Sequence, residues 1–124
     1  MNTKSGKAKG RRLQNWVAQR ISDITELGWG KDMDITPREM GQTGTDVRLS
    51  LRALELFPYS VECKNCERWS IPEWAEQAKR NTYQKTEWLL IVKSNRTKPL
   101  AIMDADTFFR LASLQSEGIR EEQR

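Results

Sequence analysis

The stretch Ser60 to Trp69 reads S-V-E-C-K-N-C-E-R-W and overlays two chemistries. Glu62 and Lys64 set a carboxylate and an ammonium two residues apart, while Cys63 and Cys66 form a C-x-x-C. The thiol reading is the weaker. A structural zinc site needs four Cys or His ligands, and the chain has two cysteines and no histidine. A redox pair sits at a strand-to-helix turn that lowers the thiol pKa. Cys63 instead falls mid-strand, and the next helix begins only at Ile71. Cys63 is therefore expected to be a buried structural residue and Cys66 incidental.

Side chains on a strand alternate faces. Val61 and Cys63 then enter the core, while Glu62 and Lys64 stand together on the other face. Asp46 opens the preceding strand and joins them if the two strands pair, giving two acids and one base. Mg²⁺ takes one or two carboxylates and keeps waters for its substrate. Asp46 and Glu62 supply such oxygens, and the backbone carbonyl of Cys63 could add a third. An ion held there polarises a phosphodiester and acidifies a bound water. Lys64 would position or deprotonate that water, or offset charge growing on the phosphate. The alternative is a surface Glu-Lys pair beside an unrelated Asp. E-x-K is common, and spacing alone favours this plainer reading.

The elements that must hold these residues are legible in the periodicity. Leu13, Trp16, Val17, Ile21, Ile24 and Leu27 keep helical spacing, predicting a helix from about Arg11 to Leu27 that ends at Gly28. From Trp29 to Thr45 the pattern weakens, punctuated by Pro37, Gly41 and Gly44. Asp46 to Leu49 alternates like a strand. Ser50 can cap a helical insert, Leu51 to Phe57, closed by Pro58, and Tyr59 to Lys64 is a further strand. Ser70-Ile71-Pro72-Glu73 reads as a capping box, so a helix starts at Ile71 and fades near Asn81. Trp88 to Val92 is an apolar run typical of a strand buried on both faces. Leu100 to Met103 is another strand. Asp104 caps a last helix with Phe108, Leu111 and Ala112 inward. The order implies a mixed α/β layered domain.

The 124 residues suit one domain, with 37% apolar and 31% charged residues. Residues 1–10 are expected to be a flexible basic arm, 11–116 the folded domain and 117–124 a frayed polar tail. No apolar run is long enough to cross a bilayer, and no hydrophobic segment follows the basic N-terminus. A reducing, cytoplasmic setting is the expectation. The net charge of +4 favours polyanionic partners.

Thr45-Asp46, then Val61-Glu62-Cys63-Lys64 on an apolar strand, then a helix bearing Gln77 resemble the PD-(D/E)xK nuclease superfamily. Within it the chain is most similar to the small Holliday junction resolvases of archaeal type and their bacteriophage relatives. The stretches G-T-D-V-R-L-S, F-P-Y-S-V-E-C-K-N and W-A-E-Q-A-K-R carry the likeness, which runs from the first helix to the last strand. It implies a restriction-endonuclease-like fold, a mixed central sheet flanked by helices. It implies that Asp46 and Glu62 are the metal carboxylates and Lys64 the catalytic lysine. Gln77, at the edge of its helix's buried face and otherwise an ordinary solvent-facing residue, becomes the helix residue approaching the site. The implied activity is a Mg²⁺-dependent endodeoxyribonuclease, with Mn²⁺ able to substitute, that cuts four-way DNA junctions as a homodimer. Other readings are a nickase or endonuclease for other branched or duplex DNA, and a non-catalytic DNA-binding module. The intact Asp46, Glu62 and Lys64 argue against the last.

Two positions depart from the family pattern. Thr45 replaces the motif's proline, and Gln14 stands where relatives often carry a first-helix acid, leaving Asp32 or Asp34 to substitute. Lys9, Arg11, Arg12, Arg48, Arg68, Lys79 and Arg80 are the expected DNA contacts, suited to phosphates rather than bases. Arg52 adds charge nearby. Trp69 and Tyr59 are candidates to stack on unpaired bases or to pack in the core. Trp69, Trp74 and Phe108-Phe109 are candidate interface material.

Overall fold

The computed structural model describes residues 4–38 and 44–124. The first three residues of the expected arm and the punctuation at Gly41 lie outside them. The helices are α1 (Lys4–Thr25), α2 (Leu51–Leu56), α3 (Ile71–Arg80) and α4 (Ala105–Glu122). The strands are β1 (Ile35–Pro37), β2 (Val47–Leu49), β3 (Tyr59–Asn65), β4 (Glu87–Lys93) and β5 (Leu100–Ile102). They form one mixed sheet in the order β1-β2-β3-β4-β5, parallel only between β3 and β4. That pair flanks α3, as a parallel connection requires a crossover. The chain is thus a single-domain α/β protein whose described residues form a five-stranded mixed sheet and four helices.

Two apolar layers hold the sheet. On one face Leu13, Val17, Ala18 and Ile21 of α1 pack on Ile35, Val47, Val61, Leu89 and Ile91. On the other, Ile71, Trp74, Ala75 and Ala78 of α3 pack on Trp88, Leu90 and Val92. The five residues from Trp88 to Val92 are all buried, which matches the unbroken apolar run. Each side chain of that size stabilises by about 1.5–3 kcal/mol on full burial. β3 is shared between the layers: Tyr59, Val61 and Cys63 belong to the α1 layer, leaving Ser60, Glu62 and Lys64 on the α3 side.

Several boundaries depart from the sequence reading. α1 starts at Lys4, so residues 4–10 are already helical. Its lysines and Ala8 are good helix formers, and Asn65 Nδ2 donates to the Lys9 carbonyl at 3.1 Å, tying this segment to β3. α1 ends at Thr25, ahead of Gly28, with Glu26 taking the left-handed conformation (φ 61°). Ser70 makes no side-chain cap; α3 starts instead on the proline in its first turn and on the Trp74 N–H bond to the Ser70 carbonyl (3.0 Å). Ser50 does cap α2, accepting from the Ala53 N–H at 3.2 Å. Asp104 does not cap α4 through its side chain, because its carboxylate accepts from Trp88 Nε1 at 3.1 Å.

α4 also runs through the expected frayed tail, to Glu122. Thr107 is its buried residue, while Phe108 and Leu111 are exposed and Ala112 is half-buried. The inward face expected from their spacing has no wall to meet, since β5 is a three-residue strand that is itself largely exposed. Glu87 anchors the helix near its start, accepting from Thr107 Oγ1 and pairing with Arg110. No helix among the described residues is long and apolar enough to cross a membrane.

Candidate active site

The β2–β3 pairing decides whether Asp46 meets Glu62. Val47 stands opposite Val61, and the Asp46 N–H donates to the Val61 carbonyl at 2.9 Å. Asp46 and Glu62 are therefore cross-strand neighbours on one face, a spacing at which side chains touch. Asp46 Oδ2 accepts the Cys63 N–H at 2.7 Å. Because the N–H and C=O of a strand residue point to the same edge, the Cys63 carbonyl also lies on the Asp46 side. Two carboxylates and one backbone oxygen thus converge.

Glu62 is the unusual member. It is 3% exposed, and its Oε1 accepts from Asn81 Nδ2 at 2.8 Å. Burial, and next the charge of Asp46, push its pKa up to about 8; the Asn81 hydrogen bond and the Lys64 ammonium pull the other way. Lys64, half-buried, projects from β3 on the same face with Nζ 6.0 Å from the Trp74 ring centre. At that distance the ring face attracts the ammonium.

α3 places Trp74, Gln77 and Asn81 in one row, each a turn apart. Gln77 is half-buried in that row, but the bond to Glu62 comes from Asn81. Asn81 was legible only as the point where the helical pattern fades. Truncating it is expected to raise the Glu62 pKa further, by about one unit for one lost hydrogen bond to a charged group. A carboxyl-carbon NMR titration of Asn81→Ala checks this, and an unchanged titration would refute the role.

The other candidates fall unevenly around this pair. Asp34 is engaged elsewhere, accepting from Ser50 Oγ at 2.6 Å and lying 3.8 Å from Arg52. Asp32 is an exposed turn residue at φ 61°. Among the described residues no three of Asp, Glu, Cys or His gather as a metal group. Gln14 is buried on α1. Arg48 is exposed on β2, on the Asp46 face. Arg68 is exposed in the loop before α3, and Lys79 and Arg80 are exposed near its end. Lys79 also pairs with Glu76 at 3.5 Å and lies 5.8 Å from the Trp88 ring centre. Arg11 and Arg12 are exposed on α1, and Lys9 is half-buried.

The cysteines do not make a second site. Both are free thiols. Burial, with the nearby Asp46 and Glu62 charges, pushes the Cys63 thiol up, opposite to what a nucleophile needs. Cys66 donates its S–H to the Arg68 carbonyl at 3.3 Å.

No family model, curated protein or solved structure matches the chain.

Proposed function

We propose that the protein is a metal-dependent, structure-selective DNA endonuclease of restriction-endonuclease-like fold, acting on four-way junctions. The observation that carries this reading is the cross-strand pairing of Asp46 with Glu62, with Lys64 two residues along the same face. A strand pair that presents an acid opposite an E-x-K is what the resemblance requires, and no local sequence pattern guarantees it.

The donor set fits a hard divalent cation. Burial first, and the adjacent Asp46 charge next, raise the Glu62 pKa, and a cation between the two carboxylates relieves that cost. Asp46, Glu62 and the Cys63 carbonyl are all oxygens, which Mg²⁺ or Mn²⁺ prefers. Such an ion, when bound, supplies Lewis-acid polarisation of the phosphodiester and a more acidic water. The chain's own groups do the rest. Lys64 presents an ammonium to the phosphate oxygens, Asn81 fixes the Glu62 rotamer, and Arg48 offers a phosphate contact on the same face.

Paired cuts at a junction need two sites related by a two-fold axis, so we take the active form to be a C₂ dimer. α4 offers a surface for it: Phe108, Phe109, Leu111 and Leu114 are exposed on a helix of 18 residues. A helix this poorly covered gains stability from a partner. Phe109→Glu with Leu114→Glu is expected to convert a dimer to monomer in sedimentation velocity; an unchanged dimer would place the interface elsewhere.

The functional test is an end-labelled four-way junction, a three-way junction and a matched duplex, each with Mg²⁺ at a stated salt. Symmetric paired cuts confined to the four-way junction support the reading. Equal cutting of all three keeps the nuclease and removes the junction preference. Binding without cutting, with Mn²⁺ also tried, would leave a non-catalytic DNA-binding module.

A further inference from the structure

A cleft of about 420 Å³ opens beside Asp46, within the range of single small-ligand sites. Arg38 and Arg48 line it with Asn81, and Leu51, Leu54 and Tyr83 give it apolar surface. Sequence reading passed over Arg38, and two observations now single it out. Its backbone N–H donates to the Asp46 carbonyl at 2.8 Å. This extends by one step the β1–β2 register in which Thr36 faces Arg48 and Pro37 faces Val47. Cross-strand partners share a face, so Arg38, Asp46 and Arg48 project together on the Glu62 side.

The second observation is an unused donor. Arg38 Nε is buried with no hydrogen-bond partner among the described residues. Neither Arg38 nor Arg48 forms a salt bridge there. A buried N–H left unpaired is costly, and an anionic ligand removes that cost. Gly44 keeps the guanidinium's space open: its φ is 93°, and a Cβ would come within 3.0 Å of Arg38 Nη1.

Tyr83 completes the rim. Its backbone N–H donates to Ser60 Oγ at 2.9 Å, and its carbonyl accepts from Thr86 Oγ1 at 2.6 Å. These bonds fix its backbone while the residue stays 55% exposed, and its side chain takes no part in them.

We propose that this cleft is a subsite for one unstacked nucleotide of a branched DNA strand. Arg38 and Arg48 hold its phosphate, and its base lies against Tyr83, Leu51 and Leu54. The inference rests on the nuclease reading and deepens it by naming what makes the site structure-selective. Unstacking a base from continuous duplex is expensive, and least so where it is already unpaired. A branch point supplies such a base; intact duplex does not.

The test measures binding rather than cutting, without divalent cation and at one stated salt. A single abasic site is moved through the positions around the branch of a four-way junction, and affinity is read by anisotropy. At one position the abasic site is expected to weaken wild type about ten-fold, as loss of one stacked base does. Tyr83→Ala should weaken binding to the intact junction by a similar factor and then be insensitive to that abasic site. Leu51→Ala, at a residue 74% exposed, repeats the comparison on a variant that leaves the core intact. Arg38→Gln and Arg48→Gln should each reduce the salt slope by about one. Additive losses, or no sensitive position in a protein that still cuts junctions, overturn the subsite and leave the nuclease reading standing. The coupling without any cutting in Mg²⁺ keeps the subsite and removes the nuclease.

Discussion

Glu62→Gln is expected to slow junction cutting about 10³-fold, equal to about 4 kcal/mol in the barrier, while junction affinity stays within a few-fold. The substitution isolates charge. Glutamine has the same length and keeps an oxygen to accept the Asn81 amide, so the 2.8 Å bond between β3 and α3 survives. What disappears is one of the two paired carboxylates, and no third acid among the described residues stands ready to replace it. Asp46→Asn should have a similar effect on rate. It also weakens the bond to the Cys63 N–H, so it perturbs the fold more than Glu62→Gln does. Lys64→Met keeps the aliphatic stem against Trp74 and removes the ammonium, an effect expected near 10²-fold. Asn81→Ala removes the hydrogen bond to Glu62 and should cost less than ten-fold. Single-turnover cutting with bound junction measures all four. Undiminished cutting by Glu62→Gln would put the metal carboxylate elsewhere.

The chemistry of β3 was legible because a strand's alternation is local: once Val61 and Cys63 are apolar-side residues, Glu62 and Lys64 must share the opposite face. The unbroken run of β4 and the proline start of α3 are signals of the same local kind. What escaped depends on partners distant in the chain. β1 is three residues long and ends on a proline, so it carries no strand signature of its own and exists through its ladder with β2. Arg38 gains its place beside Asp46 only from that ladder. Asn81 looked like a helix end, which it is, and its second role appears when α3 docks on β3. α4 shows the converse error. Its apolar spacing is real, but spacing says which residues share a face and not whether anything covers that face.

The burial of Glu62 also has a thermodynamic signature that is independent of any cutting. Its folded pKa of about 8 lies above the ordinary value of 4.5. Between those values the folded protein holds a proton that the unfolded chain releases, so metal-free stability falls as pH rises through this window. Below about 4.5 the full contribution is present; above about 8 it is gone. At about 1.36 kcal/mol per unit the shift gives an upper figure of roughly 5 kcal/mol, and relaxation with water entry reduces this to about 2–3 kcal/mol. Other groups titrate too, so the quantity to measure is the difference between wild type and Glu62→Gln in urea melts at several pH values. The variant should gain on wild type from pH 5 to pH 8.5 by about that amount, and be the more stable of the two at pH 8.5. Mg²⁺ should offset most of that difference: at about 100 times its dissociation constant it stabilises wild type by about 2.7 kcal/mol, and Glu62→Gln by far less. Parallel pH curves would mean that Glu62 is solvated in the folded protein. A pH-dependent difference without a Mg²⁺ response would leave the buried acid in place and remove the metal from it.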